Sequence, residues 1–102
     1  MAGQREQGQE QKVFPLPHTI RLQEPIPFGK DETINEIVFQ RRLKAKDLMG
    51  IKVQDMTFDD MLKIISRMTV QSMAIIKELD GVDFMEASEV VNSFLPNGAQ
   101  AD

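Results

Sequence analysis

Apolar and polar residues begin to alternate near residue 18. Ile20 and Leu22 are separated by polar neighbours, which is the period of a half-buried strand. The prolines of EPIPF interrupt regular pairing because they have no N–H to donate, and GKDE then supplies a turn in which Gly29 can take a positive φ. The β-branched and aromatic run TINEIVFQ is typical of a second strand. The pattern predicts a β-hairpin over about residues 18–40. Apolar residues on both faces of the second strand indicate a bulge or two-sided burial there.

After the hairpin the spacing of apolar residues becomes helical. Thr57 followed by Asp60 has the spacing of a capping box, and Asp83 is the expected N-cap of the last helix. The three predicted helices cover about residues 57–68, 70–79 and 83–95. Their apolar stripes hold Phe58, Met61, Leu62, Ile65 and Met68 in the first helix, Met73, Ile76 and Leu79 in the second, and Phe84, Ala87, Val91, Phe94 and Leu95 in the third. The predicted fold class is α+β, an N-terminal β-hairpin followed by a cluster of three short α-helices.

The length of 102 residues fits one domain, which we place at residues 14–95. Residues 1–13 are dominated by Gln, Gly, Glu and Arg and have little apolar surface to bury, which predicts a disordered N-terminal arm. Residues 96–102 begin with PNG, a helix stop, and are expected to form a loose tail.

Composition narrows the class of protein further. The chain has no cysteine, which excludes a disulfide framework and any thiolate metal site. No apolar run approaches the roughly 20 residues that span a bilayer, and the polar start lacks the apolar segment of a secretory signal. With a net charge of −4, the protein is expected to act where it is made, without a membrane partner.

Catalytic, cofactor and metal sites are not predicted. The single histidine, His18, lies among prolines and is expected to be a solvated loop residue, with no nucleophile placed beside it. Asp59 and Asp60 open a helix, where carboxylates favour the positive end of the helix dipole, so a general acid–base pair is the weaker interpretation. We therefore expect a protein that is not an enzyme.

A basic cluster follows the hairpin and consists of Arg41, Arg42, Lys44 and Lys46. One interpretation is a small nucleic-acid-binding regulator, because clustered cations neutralise phosphates. The cluster is short, the whole chain is acidic, and no Tyr or Trp is present to stack on bases. A solvated strand end that complements the acidic helices fits better, and nucleic acid is not the expected partner.

Several apolar side chains lie outside the helical stripes, and methionine is adaptable at surfaces that accept irregular partners. We predict a partner-binding surface at Met49, Met56, Ile75 and Met85, with Arg41 and Arg42 as charged candidates. The two edges of a lone hairpin have only modest protection, from Pro25 and Pro27 and the charges at the turn, and invite pairing with another chain, which predicts an oligomer or a hetero-complex.

The order of these motifs resembles a known family. TIRLQEPIPFGKDETINEIVFQRRLKAKDL is similar to the opening of the E/41/14-type phage tail assembly chaperones, small proteins of contractile-tailed phages and prophages. The matching positions are Pro25–Ile26, Thr33, Ile34, Ile37, Phe39, Arg41 or Arg42, Asp47–Leu48, Leu79–Asp80, Asp83, Val90–Val91 and Phe94. Leu43 and Lys46 depart from the proline and glycine that are usual before Asp-Leu, so the turn there is expected to be more helical.

The resemblance implies a function without catalysis. Such a protein would bind the tape measure protein, and possibly other tail assembly proteins, and keep it soluble in the host bacterial cytoplasm while the tail tube polymerises. The nucleic-acid-binding regulator and a structural tail component remain the alternatives.

Overall fold

The computed structural model describes residues 13–95. The predictions for the arm at 1–13 and the tail at 96–102 concern segments outside these residues, apart from Val13, which is exposed. The strands are β1 (His18–Phe28) and β2 (Glu32–Phe39), and the helices are α1 (Phe58–Thr69), α2 (Met73–Ile76) and α3 (Gly81–Phe94), with two 3₁₀ turns at Ala45–Leu48 and Val53–Asp55. The α+β class, a hairpin followed by three helices, is confirmed in this part of the chain.

The hairpin is antiparallel, and its register changes once. His18–Arg21 pair with residues 36–39, whereas Ile26–Phe28 pair with residues 32–34. Residues 22–25 therefore face a single residue of β2, which we call the β1 bulge. The extra residues lie in the first strand, where Pro25 cannot donate a hydrogen bond, and not in the second strand as the sequence suggested. The two-sided burial of β2 is observed, since Ile37 and Phe39 are buried and Ile34 and Val38 are half-buried.

One hydrophobic core joins the inner face of the hairpin to the three helices. The hairpin contributes three side chains that are fully buried: Ile20, Ile37 and Phe39. The helical half contributes Leu62, Ile64, Ile65, Met68, Ile76, Ala87, Val90, Val91 and Leu95. A two-stranded hairpin is marginal in water by itself, so its stability here depends on this packing against α1 and α3.

Helix α1 has the predicted beginning. Thr57 accepts a hydrogen bond from the Asp60 N–H at 3.0 Å, and the Asp60 carboxylate accepts from the Thr57 N–H at 3.1 Å, so the capping box is confirmed. The helix ends at Val70, whose φ of 59° and ψ of 37° are left-handed, and whose side chain is 84% exposed. Such a backbone is uncommon for a β-branched residue, and glycine is the usual occupant.

The prediction of a helix over 70–79 was wrong in its extent. Because Val70 is left-handed and Ser72 is extended, the next helix can start only at residue 73, with the Ser72 hydroxyl as its N-cap acceptor. Helix α2 is a single turn with Lys77 as its C-cap, and the backbone of Asp80 is again non-helical. The apolar residues of this segment have helical spacing, but non-helical backbone conformations on both sides limit the helix to one turn.

Helix α3 begins two residues earlier than predicted, and its N-cap is not Asp83. Asp80 caps it, accepting a hydrogen bond from the Val82 N–H at 2.9 Å. Asp83 is 1% exposed and accepts a hydrogen bond from the Gln23 N–H at 2.8 Å. A carboxylate from the first turn of α3 thus satisfies a backbone donor in the β1 bulge, which explains how strand and helix are held in place.

Candidate partner-binding surface

A cleft of about 570 Å³ lies between the second 3₁₀ turn, the beginning of α1, and α3. We call it the Phe58 cleft. Its walls are formed by Val53, Gln54, Asp55, Met56, Thr57, Phe58, Met61, Phe84, Ser88, Asn92 and Leu95. Several of these side chains also pack against the core, so the cleft is continuous with the core.

Phe58 lies at the edge of this cleft and is 66% exposed. Its ring centroid is 4.8 Å from that of Phe84, with 45° between the ring planes, a favourable aromatic contact. A second cavity of about 130 Å³ lies beside the same two rings and is also lined by Leu62, Ile76 and Leu79. The phenylalanine pair therefore forms an apolar ridge that borders both cavities.

Sequence reasoning assigned Phe58 to the core stripe of α1, and that assignment was wrong. Phe58 is the first residue of the helix, directly after the N-cap Thr57. Side chains of an α-helix tilt toward its N-terminus, so the side chain of the first residue extends past the start of the helix and away from the core. Leu62, one turn later on the same face, is buried. The position next to the capping residue was the signal that could have identified it.

One carboxylate lines the Phe58 cleft, and two more follow Phe58 in the sequence. Asp55 lines it, and Asp59 and Asp60 follow in the first turn of the helix. The Asp60 carboxylate caps the helix, while Asp59 lies 3.4 Å from the Lys63 ammonium in an exposed pair. Exposed pairs of this kind contribute little to stability, so Asp55 and Asp59 remain accessible to a positively charged partner.

The four predicted apolar partner residues are dispersed. Met56 lines the Phe58 cleft and is half-buried. Met49 and Met85 are 68% and 60% exposed, and neither contributes to the cleft wall. Ile75 is half-buried in the short helix α2. The cleft therefore contains Met56 together with Phe58 and Phe84, two residues that the sequence analysis had placed in the core. The other three predicted residues, Met49, Ile75 and Met85, do not line it.

The basic cluster is built around a buried carboxylate. Arg41 donates two hydrogen bonds to Asp47, at 2.8 Å and 2.9 Å, and Asp47 is 1% exposed. The Lys44 N–H donates to the same carboxylate at 2.8 Å. Arg41 also donates to the Arg67 carbonyl at 3.1 Å, and Arg67 donates to the Asp47 carbonyl at 2.9 Å. This network joins the end of β2, the first 3₁₀ turn and α1.

The two charges alter each other's protonation. Burial acts to raise the pKa of Asp47, but hydrogen bonds from Arg41 and the Lys44 N–H, with the attraction of Arg41 and Lys46, lower that pKa below its ordinary value. The hydrogen bonds to Asp47 raise the pKa of Arg41 further, against the effect of burial. Both groups are therefore charged at neutral pH.

This network changes the interpretation of the arginines. The guanidinium of Arg41 is directed at acceptors within the protein, which favours a structural role over a partner-binding one. Arg42 lies over the Phe94 ring, with its guanidinium carbon 5.3 Å from the ring centroid. Lys44 and Lys46 are exposed. Two exposed lysines and one stacked arginine could neutralise only a few phosphates, which disfavours nucleic-acid binding.

His18 is not the solvated loop residue that the sequence suggested. It is the first residue of β1, half-buried, with Nε2 3.3 Å from a Glu86 carboxylate oxygen and its ring edge-on to Phe14 at 5.0 Å. Within residues 13–95, no group of three or more histidines and carboxylates is arranged to hold a metal ion. None of the helices described is long and apolar enough to cross a membrane.

Comparison with known proteins gives one match. The model of a family described as phage tail assembly chaperone proteins, E, or 41 or 14, matches residues 19–96, which is most of the chain. No curated protein and no solved structure shows a significant match. The matched range includes the hairpin apart from His18, the Asp47 network and both walls of the Phe58 cleft.

Proposed function

The chain belongs to the family of phage tail assembly chaperone proteins, and from this premise we propose that it binds the tape measure protein of a tailed phage. Binding would keep that long client soluble in the host cytoplasm while tail tube subunits polymerise around it. The role requires recognition without chemistry, and we propose that the protein is not an enzyme.

The observation that supports this proposal is the amount of apolar surface left exposed on an acidic molecule. In the helical half, Phe58, Val70, Val82 and Met85 are each at least 60% exposed. Exposed apolar side chains that lie together can form a site for a partner, as Phe58 does with Phe84, and the carboxylates of an acidic protein would keep both the free and the loaded protein in solution. A holding chaperone needs both properties.

Co-expression with the tape measure protein tests the proposal. We expect the soluble fraction of the tape measure protein to rise in the presence of the chaperone, and the two proteins to co-purify. The matched control is co-expression with the chaperone that carries Asp47→Asn, which removes the buried carboxylate and weakens the fold. A tape measure protein that stays equally insoluble, with no complex formed, would contradict the proposal.

The two alternative functions predict different observations. A nucleic-acid-binding regulator should show DNA affinity that falls steeply with salt, and the occupied guanidinium of Arg41 disfavours that outcome. A structural tail component should be found by mass spectrometry in mature particles. A chaperone should be absent from purified particles and should bind DNA only weakly at physiological salt.

A further inference from the structure

We propose that the Phe58 cleft receives a basic amphipathic helix, with two apolar side chains of that helix placed on either side of the Phe58–Phe84 ridge. The inference rests on the proposed function, because it names the surface and the kind of client segment that the chaperone would recognise. It commits to a helix that carries Lys or Arg beside its apolar face.

The shape of the surface supports a helical occupant. The ridge is bordered by cavities of about 570 Å³ and about 130 Å³, and both are lined by the same two phenylalanine rings. Apolar side chains three or four residues apart on a helix lie roughly 5–6 Å from each other on one face. Two such side chains can therefore lie on opposite sides of the ridge, as in other complexes where a helix occupies a groove.

The charge of the surface supports a basic occupant. Asp55 lines the larger cavity, Asp59 is exposed beside it, and neither cavity wall contains a basic residue other than Lys77 at the smaller one. A helix with lysines or arginines next to its apolar face would place cations opposite these carboxylates. Complementary charge of this kind raises the association rate, and it favours basic helices over other amphipathic helices that have a similar apolar face.

Phe58 is the expected centre of the contact. It is an aromatic residue, 66% exposed, and already positioned by its contact with Phe84 and by the capping box that fixes the first turn of α1. Aromatic residues of this kind often account for most of an interface's free energy. Because the ring is held before binding, little side-chain entropy is lost when the helix arrives.

The binding test uses a designed probe. A fluorescent 18-residue peptide of leucine and lysine, with leucine at helical spacing, is titrated with the full chain by fluorescence anisotropy, alongside a peptide in which glutamate replaces every lysine. We expect the lysine peptide to bind about tenfold more tightly than the glutamate peptide. Equal affinities for the two would overturn the assignment of a basic partner.

Variants locate the site. Phe58→Ser should weaken binding about tenfold or more, whereas Met85→Ser, which removes an equally exposed side chain elsewhere, should change it less than twofold. Asp55→Asn with Asp59→Asn should weaken binding, and the same change of charge at the hairpin turn, Asp31→Asn with Glu32→Gln, should not. Equal effects in a variant and its control would show non-specific attraction and overturn the proposal.

A blocking variant keeps the test decisive if Phe58→Ser fails to fold. Asn92 is exposed on the α3 wall of the cleft, so Asn92→Trp adds bulk to the cleft without removing core atoms. It should reduce peptide binding while the circular dichroism spectrum stays that of the folded chain. A folded Asn92→Trp variant that binds the peptide as wild type does would exclude the cleft.

The tape measure protein then separates this inference from the proposed function. If the wild type fails to solubilise the tape measure protein, the proposed function is wrong. If the wild type succeeds and Phe58→Ser succeeds equally, the function stands and the inference is wrong. A third outcome is that Phe58→Ser dissociates a dimer of the free chain, seen as a lower sedimentation coefficient, without affecting peptide binding. The cleft would then be occupied by a second copy of the chain, which also overturns the inference.

Discussion

Asp47 holds three segments in place, because its carboxylate accepts from Arg41 at the end of β2 and from the Lys44 N–H, and its backbone carbonyl accepts from Arg67 of α1. Asp47 is also one of the positions that match the sequence pattern of the tail assembly chaperones. The pattern contains an arginine followed by Asp-Leu, and the geometry pairs Arg41, and not Arg42, with Asp47. Two matched positions of the sequence are thus the two halves of one ion pair.

Replacing Asp47 tests this network. Asp47→Asn leaves the Arg41 guanidinium partly buried without a counter-charge, so the free energy of unfolding should fall by about 3 kcal/mol. The measurement is urea denaturation followed by circular dichroism. The control is Asp31→Asn in the exposed hairpin turn, which should stay within about 0.5 kcal/mol of wild type.

The same pair has a defined dependence on pH. Since the pKa of Asp47 is lower in the folded protein than in the unfolded chain, its contribution to stability is complete above the unfolded value of about 3.9 and is lost as the pH falls through the lower folded value. The stability difference between wild type and Asp47→Asn should therefore shrink below about pH 4. A difference that stays constant from pH 7 down to pH 2 would show that the charge of Asp47 is not the source.

Val70 is a second residue whose backbone predicts a measurable effect. Its left-handed φ of 59° costs an L-residue roughly 1–2 kcal/mol, and the side chain gains little because it is 84% exposed. Val70→Gly should raise the free energy of unfolding by about 1 kcal/mol. Val70→Ala, which keeps a Cβ, should give a smaller gain. A loss of stability in Val70→Gly would mean that the exposed valine side chain makes a stabilising contact.

Among the secondary structure elements, the joint between α3 and the β1 bulge is the least expected. In the bulge, residues 22–25 of β1 face a single residue of β2. The Gln23 N–H in this segment donates a hydrogen bond to the Asp83 carboxylate of α3. The helix therefore stabilises the irregularity of the strand, and the strand gives the helix a fixed position.

Asp83→Ala should destabilise the protein by about 2 kcal/mol, because the Gln23 N–H loses its carboxylate acceptor in a partly buried hydrogen bond. Asp83→Asn keeps an oxygen in reach of Gln23 and should recover part of this loss. Asp80→Ala removes the N-cap and should cost about 1 kcal/mol. Thermal or urea unfolding measures all three, and a loss in Asp80→Ala larger than that in Asp83→Ala would reverse the roles assigned to the two aspartates.

The sequence predicted elements well where one local signal dominated. The capping box at Thr57 defined the start of α1, and the alternation around Ile20 defined β1. It failed at the DGVD stretch, where Asp80 and Asp83 are both suitable caps and only the distant Gln23 decides between them. The Phe58 cleft was missed for the same reason, since its walls come from segments far apart in sequence.

At the scale of the whole molecule, Phe14 is the first of the described residues 13–95 that packs against the core. It is half-buried against the core, its N–H donates to the Ser93 hydroxyl at 3.3 Å, and its ring contacts His18. Removing residues 1–12, which offer little apolar surface, should leave the thermal midpoint nearly unchanged. Removing Phe14 as well should lower it by about 5 °C, which corresponds to roughly 1 kcal/mol for a domain of this size. A large drop from the shorter deletion would place the N-terminal segment in contact with the domain.

The β1 bulge also divides the hairpin into two blocks that can open at different rates. The inner block contains Ile20 and Ile37 in the core, whereas the outer block, Ile26–Phe28 with residues 32–34, is mostly exposed apart from Ile26. Opening the outer block breaks few buried contacts, so its backbone amides should exchange with deuterium in a fraction of the time that the inner block requires. Mass spectrometry of overlapping peptides would resolve the two rates. A single shared rate would mean that the hairpin opens as one cooperative unit together with the core.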